Sequence, residues 1–380
     1  MILKTIPYAT QWIDDDDVSA VIKSLSSDWL TQGPKISEFE DKVARYCGSK
    51  YAVAVNSGTA ALHAACFAAG IGPEDEVITS PITFVASANS ILYCGGKPVF
   101  ADIQKDTINI DPNEVKTKMS SKTKVVIPVH FAGQPCDMEE ISSIARANNM
   151  VVIEDAAHAL GAEYKNSKIG SGKYSDLTIL SFHAVKHITT GEGGMILTNS
   201  EEYHKKLSMF RTHGITRDLN NGEGDWFYEM RLLGFNYRIT DFQCALGIKQ
   251  LEKLDKFIAR RREIAAQYAR AFKPFEFLTN PGERDDARSA WHIYPIQVKT
   301  KRREIFDALK KSGIGVNVHY IPVYLQPYYQ KLGYMKGLCP NAEEYYSRAI
   351  TLPLYPKMTD EDISYVISKV KEAIAEVNSK

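Results

Sequence analysis

Between residues 50 and 200 the chain alternates short apolar, β-branched runs with stretches of helical periodicity. Helices are predicted over TAALHAACFAAG, over FVASANSILYCGG, and near residues 113–120 and 137–148. The runs predicted to be strands are YAVAVNS, DEVITS, KPVFADI, KVVIPVHF, MVVIEDA, LTILSFH and GMILTN. Apolar strands separated by amphipathic helices form mostly parallel sheets that are covered on both faces, so the pattern predicts an α/β fold.

The pattern changes near residue 240. One long helical stretch, DFQCALGIKQLEKLDKFIARRREIAAQYARAF, carries apolar residues at spacings of three and four. A strand near AWHIYPIQV and helices near residues 302–312 and 359–377 follow it. We therefore expect a large domain over residues 1–240, including the N-terminal segment, and a smaller α+β domain over residues 241–380.

The 380 residues are 44% apolar and 24% charged, which suffices for a large core. Basic and acidic side chains balance at 46 each without a basic stripe, which argues against nucleic acid as a partner. The six cysteines are scattered without a CxxC pair, which argues against zinc and disulfides and for a reducing compartment. The start of the chain lacks a signal-peptide core, and no stretch approaches the roughly 18 apolar residues of a membrane span. We expect a cytoplasmic protein with no metal and no membrane partner.

Candidate functional residues follow the predicted strands, where open parallel sheets bind their ligands. The turn NSGTAAL offers free N–H groups at a helix N-terminus and the hydroxyls of Ser57 and Thr59. Such a terminus binds phosphate, although an ordinary helix cap has the same pattern. The segment PITFVASAN places Phe84 at the exit of the next strand, where its ring is either a stacking plane or part of the core.

The segment VVIEDAAHA places Asp155 at a strand end and His158 three residues later. A buried carboxylate there pairs with a cationic ring nitrogen while the imidazole covers a planar ligand, or it caps an ordinary turn. The strand LTILSFH delivers Ser181 and His183 to its end, and Lys186 follows in a turn of small residues. A lysine that forms an imine must lose its proton near neutrality, which partial burial and nearby positive charge achieve. The alternative is a solvated loop lysine.

In chain order these segments supply a phosphate anchor, an aromatic plane, a carboxylate and an activatable lysine. Those are the parts that hold pyridoxal phosphate. The set NSGTAAL, PITFVASAN, IEDAAHALGAEY, SFHAVKHITTGEGG and GFNYRITDFQCALG closely resembles the sugar aminotransferases of the DegT/DnrJ/EryC1/StrS family, over essentially the whole chain. The resemblance implies an aspartate-aminotransferase-like (type I PLP) fold and a homodimer with shared active sites.

By position in this resemblance, Lys186 corresponds to the Schiff-base lysine and proton shuttle, and Asp155 to the partner of the ring nitrogen. Phe84 and His158 resemble the groups on either side of the ring. The positions that match the family's phosphate site are Thr59, Ala60 and Ser181. Ser57, in the same turn as Thr59, is counted with the cofactor-binding residues. The resemblance implies pyridoxal 5'-phosphate bound covalently to Lys186 and converted to pyridoxamine phosphate during turnover.

Asn236, in GFNYR, matches an asparagine that reaches the phosphate region of the neighbouring subunit's site. The segments WLTQGP and VHYIPVYLQPYY resemble segments that contact a sugar nucleotide, although an apolar docking loop is an alternative for the second. The positions expected to face the substrate are Tyr8, Trp29, Leu30, Thr31, His183, His319 and Tyr320. Of these, His183 is expected to orient the substrate without acting as a base.

The resemblance implies transamination of a nucleotide-linked 4-keto-6-deoxy sugar with L-glutamate as amino donor, for a cell-surface or flagellin glycan. A UDP-4-keto-6-deoxy-N-acetylhexosamine is the favoured substrate. Alternatives are a dTDP- or GDP-linked keto sugar and a non-catalytic regulatory member of the family. In the family's dehydratase branch a histidine stands where this chain has Lys186, which favours transamination. His187 and Gly191 differ from the residues usual in the family, which bears on the identity of the sugar.

Overall fold

The structure is a computed structural model that describes residues 5–217 and 224–378. Along these residues the helices are α1 (Asp15–Leu25), α2 (Pro34–Cys47), α3 (Gly58–Ala68), α4 (Ala86–Tyr93), α5 (Pro112–Lys118), α6 (Met138–Ala147), α7 (Glu201–Phe210), α8 (Asp241–Glu252), α9 (Leu254–Phe272), α10 (Arg302–Lys311), α11 (Pro327–Lys331), α12 (Pro340–Arg348) and α13 (Asp360–Asn378).

The strands of the same residues are β1 (Tyr51–Val55), β2 (Glu76–Thr79), β3 (Lys97–Phe100), β4 (Thr123–Ile127), β5 (Val151–Asp155), β6 (Glu163–Tyr164), β7 (Ser167–Lys168), β8 (Leu177–Ser181), β9 (Gly194–Thr198), β10 (Ile215–Thr216), β11 (Glu229–Met230), β12 (Leu278–Thr279), β13 (Ala287–Arg288), β14 (Tyr294–Val298) and β15 (Ala349–Leu352). All seven predicted strands between residues 50 and 200 are present, and each is one to three residues shorter than predicted, although β4 begins one residue before and ends four residues before its predicted bounds.

The central sheet has seven strands in the order β1-β9-β8-β5-β4-β2-β3. The pairs β3–β2, β2–β4, β4–β5 and β5–β8 are parallel, whereas β9 runs antiparallel to both β8 and β1. The expectation of a mostly parallel sheet is confirmed. Because two antiparallel steps separate β1 from β8, the carboxyl end of β1 lies at the same edge as those of the parallel strands.

Both faces of this sheet are covered, because alternate residues of each strand enter different cores. Ala52 and Ala54 of β1 pack in one apolar cluster, with side chains of α2, α6 and α8. Val53 and Val55 pack in the other, with α3 and α7. The near-continuous apolar composition of the strands follows from this double burial.

A separate core, distinct from the two on the faces of the central sheet, lies in the C-terminal part of the chain. It joins the antiparallel sheet β12-β14-β15 to α10, α13 and the second half of α9. The long helical pattern predicted from residue 241 is divided, because α8 ends at Glu252 and α9 begins at Leu254. Helix α9 contributes Ile258 to the sheet-face core that contains Ala52, and Phe272 to the C-terminal core. The division of the chain into two domains near residue 240 therefore stays a prediction.

Within residues 5–217 and 224–378, no helix is both long enough and apolar enough to cross a bilayer.

Candidate active site

A cavity of about 680 Å³ lies at the carboxyl ends of the central strands and extends to the C-terminal core. Most of the residues singled out in the sequence line it: Tyr8, Ser57, Thr59, Phe84, Asp155, His158, Ser181, His183, Lys186, His319 and Tyr320. The residues from the same set that do not line it in this chain are Trp29, Leu30, Thr31, Ala60 and Asn236. Side chains from strands far apart in sequence therefore meet where the fold predicts a ligand.

One wall of the cavity is the N-terminus of α3. Ser57 caps this helix, and its Oγ accepts a hydrogen bond from the Ala60 N–H at 3.0 Å. The Ala60 N–H is thereby occupied in this structure, while the N–H groups of Gly58 and Thr59 find no acceptor within the described part of the chain. A helix N-terminus with unused N–H groups and a positive dipole end suits a phosphate group.

The floor carries a buried carboxylate. Asp155, the last residue of β5, accepts hydrogen bonds from the Ser87 Oγ at 2.6 Å and from the Ala157 N–H at 3.2 Å. Burial raises the pKa of Asp155, while these two hydrogen bonds and the charge of Lys186 oppose the rise. No cation of the described residues forms an ion pair with Asp155, so a cationic group of a ligand suits this position.

Aromatic rings surround the space above the carboxylate. His158 lies with its ring centroid 4.3 Å from that of His292, and its Nε2 is 3.4 Å from the Tyr320 hydroxyl. Burial and then the charge of Lys186 lower the pKa of His158 well below its ordinary range, so the ring is neutral. Phe84 exposes 59% of its surface and faces the Tyr320 ring at 6.5 Å. Phe84 thus lines the cavity instead of joining the core.

Lys186 lies in the turn after β8, where its N–H donates to the His183 carbonyl oxygen at 2.9 Å. Its side chain lines the cavity and is surrounded by protein on its other sides. Burial lowers the pKa of Lys186 to about 8, Asp155 opposes this effect, and the buried guanidinium of Arg261 adds to it. About a tenth of the amine is therefore unprotonated at pH 7, far more than for a lysine of ordinary pKa, as a nucleophilic lysine requires.

The mouth of the cavity is lined by polar aromatic residues from several segments. The His319 ring lies 5.8 Å from the Tyr8 ring, and its Nδ1 is 2.9 Å from the Thr351 hydroxyl. Burial and then the charge of Lys186 lower the pKa of His319 to about 4, so His319 is neutral at physiological pH. His183 and Glu192 face each other at 3.9 Å across the opposite rim.

The segment from Trp29 to Thr31 lies away from the cavity. Thr31 pairs with Thr240, and the Leu30 carbonyl oxygen accepts the Asp241 N–H at 3.0 Å. Trp29 and Leu30 each expose about half of their surface. Asn236, four residues before Thr240, is also exposed and pairs with Thr212. The segment and Asn236 thus both lie outside the lining of this chain's own cavity.

Several residues that line the cavity were not found from the sequence, among them Ser87, His292 and Glu192. Ser87 is bonded to Asp155, His292 packs against His158, and Glu192 faces His183. The helical pattern of FVASANSILYCGG places Ser87 on one helix face. It does not indicate which strand that face meets.

These features fit pyridoxal 5'-phosphate. The N-terminus of α3 suits its phosphate, the buried carboxylate of Asp155 suits its protonated ring nitrogen, and Lys186 suits its aldehyde. The rings of Phe84 and His158 supply planar surfaces in the same cavity.

Residues 11–371 match the model of the DegT/DnrJ/EryC1/StrS aminotransferase family. The spore coat polysaccharide biosynthesis protein SpsC of Bacillus subtilis is 45% identical, over 97% of each chain. A UDP-4-amino-4,6-dideoxy-N-acetyl-beta-L-altrosamine transaminase of Campylobacter jejuni is 39% identical, over 95% of each chain.

Two solved structures have the same fold as this chain. Helicobacter pylori PseC, an aminotransferase involved in the biosynthesis of pseudoaminic acid, superposes with a TM-score of 0.92 at 33% identity, covering 98% of this chain and 100% of that chain. Spr1654 of Streptococcus pneumoniae, in its PLP-form, has a TM-score of 0.92 at 32% identity, with the same coverage of 98% and 100%.

Proposed function

This chain belongs to the DegT/DnrJ/EryC1/StrS aminotransferase family and is a PLP-dependent aminotransferase, and we propose that its amino acceptor is a UDP-linked 4-keto-6-deoxy-N-acetylhexosamine and its amino donor L-glutamate. The observation that carries the proposal is the meeting of Lys186, Asp155 and the N-terminus of α3 in one cavity. The names of the Campylobacter and Helicobacter proteins support a sugar of this class. The aminated product would enter a cell-surface or flagellin glycan.

Each residue of the cavity has a proposed task. When bound, pyridoxal phosphate supplies a carbonyl group that accepts the amino group and a ring that accepts electrons from the bond broken at the donor Cα. Lys186 would hold the cofactor covalently through its Nζ, and the freed Nζ would remove the proton from the donor Cα in one half-reaction. In the other half-reaction the same Nζ delivers a proton to the sugar carbon that receives nitrogen.

The other proposed cofactor contacts are supported by the residues that line the cavity. Asp155 would accept the ring N–H, and Phe84 and His158, which line the same cavity, would hold the ring between them. The residues proposed at the phosphate are Ser57, Thr59, Ala60 and Ser181. The position of Gly58 supports this assignment, because the Gly58 N–H has no acceptor among the described residues and Gly58 lies against Ser181.

We propose that the enzyme is a homodimer in which each subunit completes the other's cavity. Asn236 would reach the partner's phosphate site, and Trp29, Leu30 and Thr31 the partner's substrate. Their position outside the lining of this chain's own cavity supports the proposal. Large apolar side chains are exposed in the same region, as expected of an interface: Trp226, Tyr228, Met230, Leu233 and Phe235.

The sugar nucleotide would lie at the mouth of the cavity. Tyr8, His183, His319 and Tyr320 present hydroxyl and imidazole groups there. Because His319 is neutral, it both donates and accepts hydrogen bonds, which suits sugar hydroxyl and N-acetyl groups. A neutral ring carries no positive charge to attract the diphosphate, so we expect these residues to contact the sugar.

A second candidate is the same reaction on a dTDP- or GDP-linked keto sugar for a surface polysaccharide. The observation in favour of a surface polysaccharide is that this chain is 45% identical to SpsC, a spore coat polysaccharide biosynthesis protein, and 39% identical to the altrosamine transaminase. Both candidates use the same cofactor residues and differ only in what the mouth of the cavity recognises.

The visible spectrum of the purified protein tests the proposal. Loaded with pyridoxal 5'-phosphate, the protein should show the yellow absorbance of a lysine-bound cofactor, which Lys186→Ala should lack. L-Glutamate should bleach this band, and the UDP-linked keto sugar should restore it. Recovery with a dTDP- or GDP-linked sugar alone would favour the second candidate. A band that L-glutamate leaves unchanged would refute the assigned donor.

A further inference from the structure

We propose that Ser87 is a positioning residue that keeps Asp155 charged and aimed at the cofactor. The inference rests on the proposed pairing of Asp155 with the cofactor ring nitrogen. Ser87 belongs to the segment PITFVASAN, from which the sequence indicated only Phe84, and it reaches Asp155 at the end of β5 from α4, the helix that follows β2.

The contact is short and fully enclosed. The Ser87 Oγ lies 2.6 Å from the Asp155 Oδ2, and both residues are at least 96% buried. A carboxylate only accepts hydrogen bonds, so the Ser87 hydroxyl proton points at Asp155. Hydroxyl-to-carboxylate bonds in a dry site are among the stronger hydrogen bonds of proteins.

A second hydroxyl orients the first. The Thr83 Oγ1 lies 2.7 Å from the Ser87 Oγ. Since the single proton of Ser87 is used by Asp155, the Thr83 hydroxyl must be the donor of this pair. Thr83 and Ser87 therefore form a directed chain of two hydroxyls that ends on the carboxylate and stabilises its charged form.

The other groups that face Asp155 act on it in different ways. The Ala157 N–H donates to its Oδ1 at 3.2 Å, and the positive charge of Lys186 also favours ionisation. The His130 N–H binds the Asp155 carbonyl oxygen at 3.1 Å, and the neutral Tyr320 lies on the cavity side. Burial opposes all of them, so removal of the Ser87 hydroxyl shifts the balance toward the protonated acid.

The same bond also ties α4 to the floor of the cavity. Phe84 lies three residues before Ser87, and its carbonyl oxygen accepts the Ser87 N–H at 3.3 Å. The turn that carries the Phe84 ring is therefore fixed relative to Asp155. Ser87 thus connects Asp155, which is proposed to bind the ring nitrogen, with Phe84, which is proposed to lie on the ring face.

Titration of the apoprotein with pyridoxal 5'-phosphate between pH 5 and pH 8 tests the inference without an activity assay. For Ser87→Ala we expect the dissociation constant near pH 7.5 to rise about tenfold, as for a lost hydrogen bond to a charged group. Binding requires ionised Asp155, so affinity falls as Asp155 is protonated. In Ser87→Ala this fall should begin at a pH about one unit higher than in the wild type.

Ser90→Ala is the matched control. Ser90 lies on the same helix, is fully buried, and donates to the Ser87 carbonyl oxygen at 2.9 Å, but it does not contact Asp155. It should leave both the affinity and the pH dependence unchanged, whereas Thr83→Val should show a smaller shift in the direction of Ser87→Ala.

The outcomes separate the inference from the proposed function. Wild-type affinity and pH dependence in Ser87→Ala would refute the positioning function alone. Equal effects of Ser87→Ala and Ser90→Ala would assign the loss to packing and refute it as well. A wild-type protein that binds no cofactor would instead overturn the proposed site and the inference together.

Discussion

Gly58 lies so close to Ser181 that a Cβ atom at Gly58 would be only 3.0 Å from the Ser181 Cβ and 3.2 Å from its Oγ. The two residues stand at the ends of neighbouring parts of the structure, Gly58 at the start of α3 and Ser181 at the end of β8. Their contact sets the distance between the free N–H groups of the helix and the serine hydroxyl. A phosphate held by both depends on this distance.

Gly58→Ala should weaken cofactor binding. The added methyl group must move the N-terminus of α3 away from β8 by a few tenths of an ångström, so we expect the dissociation constant of pyridoxal 5'-phosphate to rise by roughly three- to tenfold and stability to fall by about 1 kcal/mol. Gly72→Ala is the control, because the nearest atom to a Cβ there is the Asp75 Oδ2 at 3.9 Å. Equal cofactor affinity in the two variants would contradict this account of the phosphate site.

Asp241 should matter for the substrate more than for the cofactor. Its buried carboxylate accepts the N–H groups of Gly33 at 2.8 Å and Lys35 at 3.0 Å, and its own N–H holds Leu30. Asp241→Asn replaces one acceptor oxygen by an amide group, which should cost about 1.5–3 kcal/mol of unfolding free energy and loosen residues 29–31. Thermal denaturation and KM for the sugar nucleotide measure the two effects. An unchanged KM in a folded, destabilised variant would remove residues 29–31 from the proposed substrate site.

The central sheet was predictable because its strands are buried on both faces and are therefore continuously apolar. The break between α8 and α9 was not. Lys253 favours a helix by itself, but its Nζ lies 2.8 Å from the Asp14 carboxylate and 2.5 Å from that of Asp17, in and next to α1. These ion pairs join residues more than 230 positions apart, and no local pattern contains them.

The cavity was predictable to the extent that its residues follow strands. Ser57, Asp155 and Ser181 each stand just beyond the last core position of a strand, so the edge of the sheet brings them together. The bond from Ser87 to Asp155 depends on the order β5-β4-β2 and on the direction in which α4 leaves β2. Tertiary packing decides both, which is why the sequence indicated Phe84 and not Ser87.

The rate of cofactor attachment to the apoprotein should depend on pH through Lys186. Burial disfavours the charged amine and lowers its pKa to about 8, so the reactive neutral amine increases from pH 7 and is nearly complete above pH 9. We expect the rate of band formation in stopped-flow absorbance to rise about tenfold from pH 7 to pH 9 and then level off. A lysine with the ordinary pKa near 10.4 would instead give a rise of about a hundredfold with no plateau.

Asp155→Asn provides the internal check on that profile. The negative charge of Asp155 raises the pKa of Lys186, so its removal should move the inflection to lower pH. The cofactor should also bind less tightly, because its ring nitrogen loses its partner. A profile that moves to higher pH would mean that Asp155 does not act on Lys186 through its charge.

Mixed dimers offer the sharpest test of shared active sites. Lys186→Ala lacks the proposed covalent anchor, and Asn236→Ala lacks the proposed contact to the partner's phosphate site, so each variant alone should be inactive or severely impaired. In a heterodimer of the two, one cavity combines Lys186 of one subunit with Asn236 of the other and is intact, while the second cavity lacks both. Random reassociation makes half of the dimers mixed, so about a quarter of the wild-type activity should return. Heterodimers that form but stay inactive would show that Asn236 serves its own subunit or neither site, and the exposed position of Asn236 would then need another explanation.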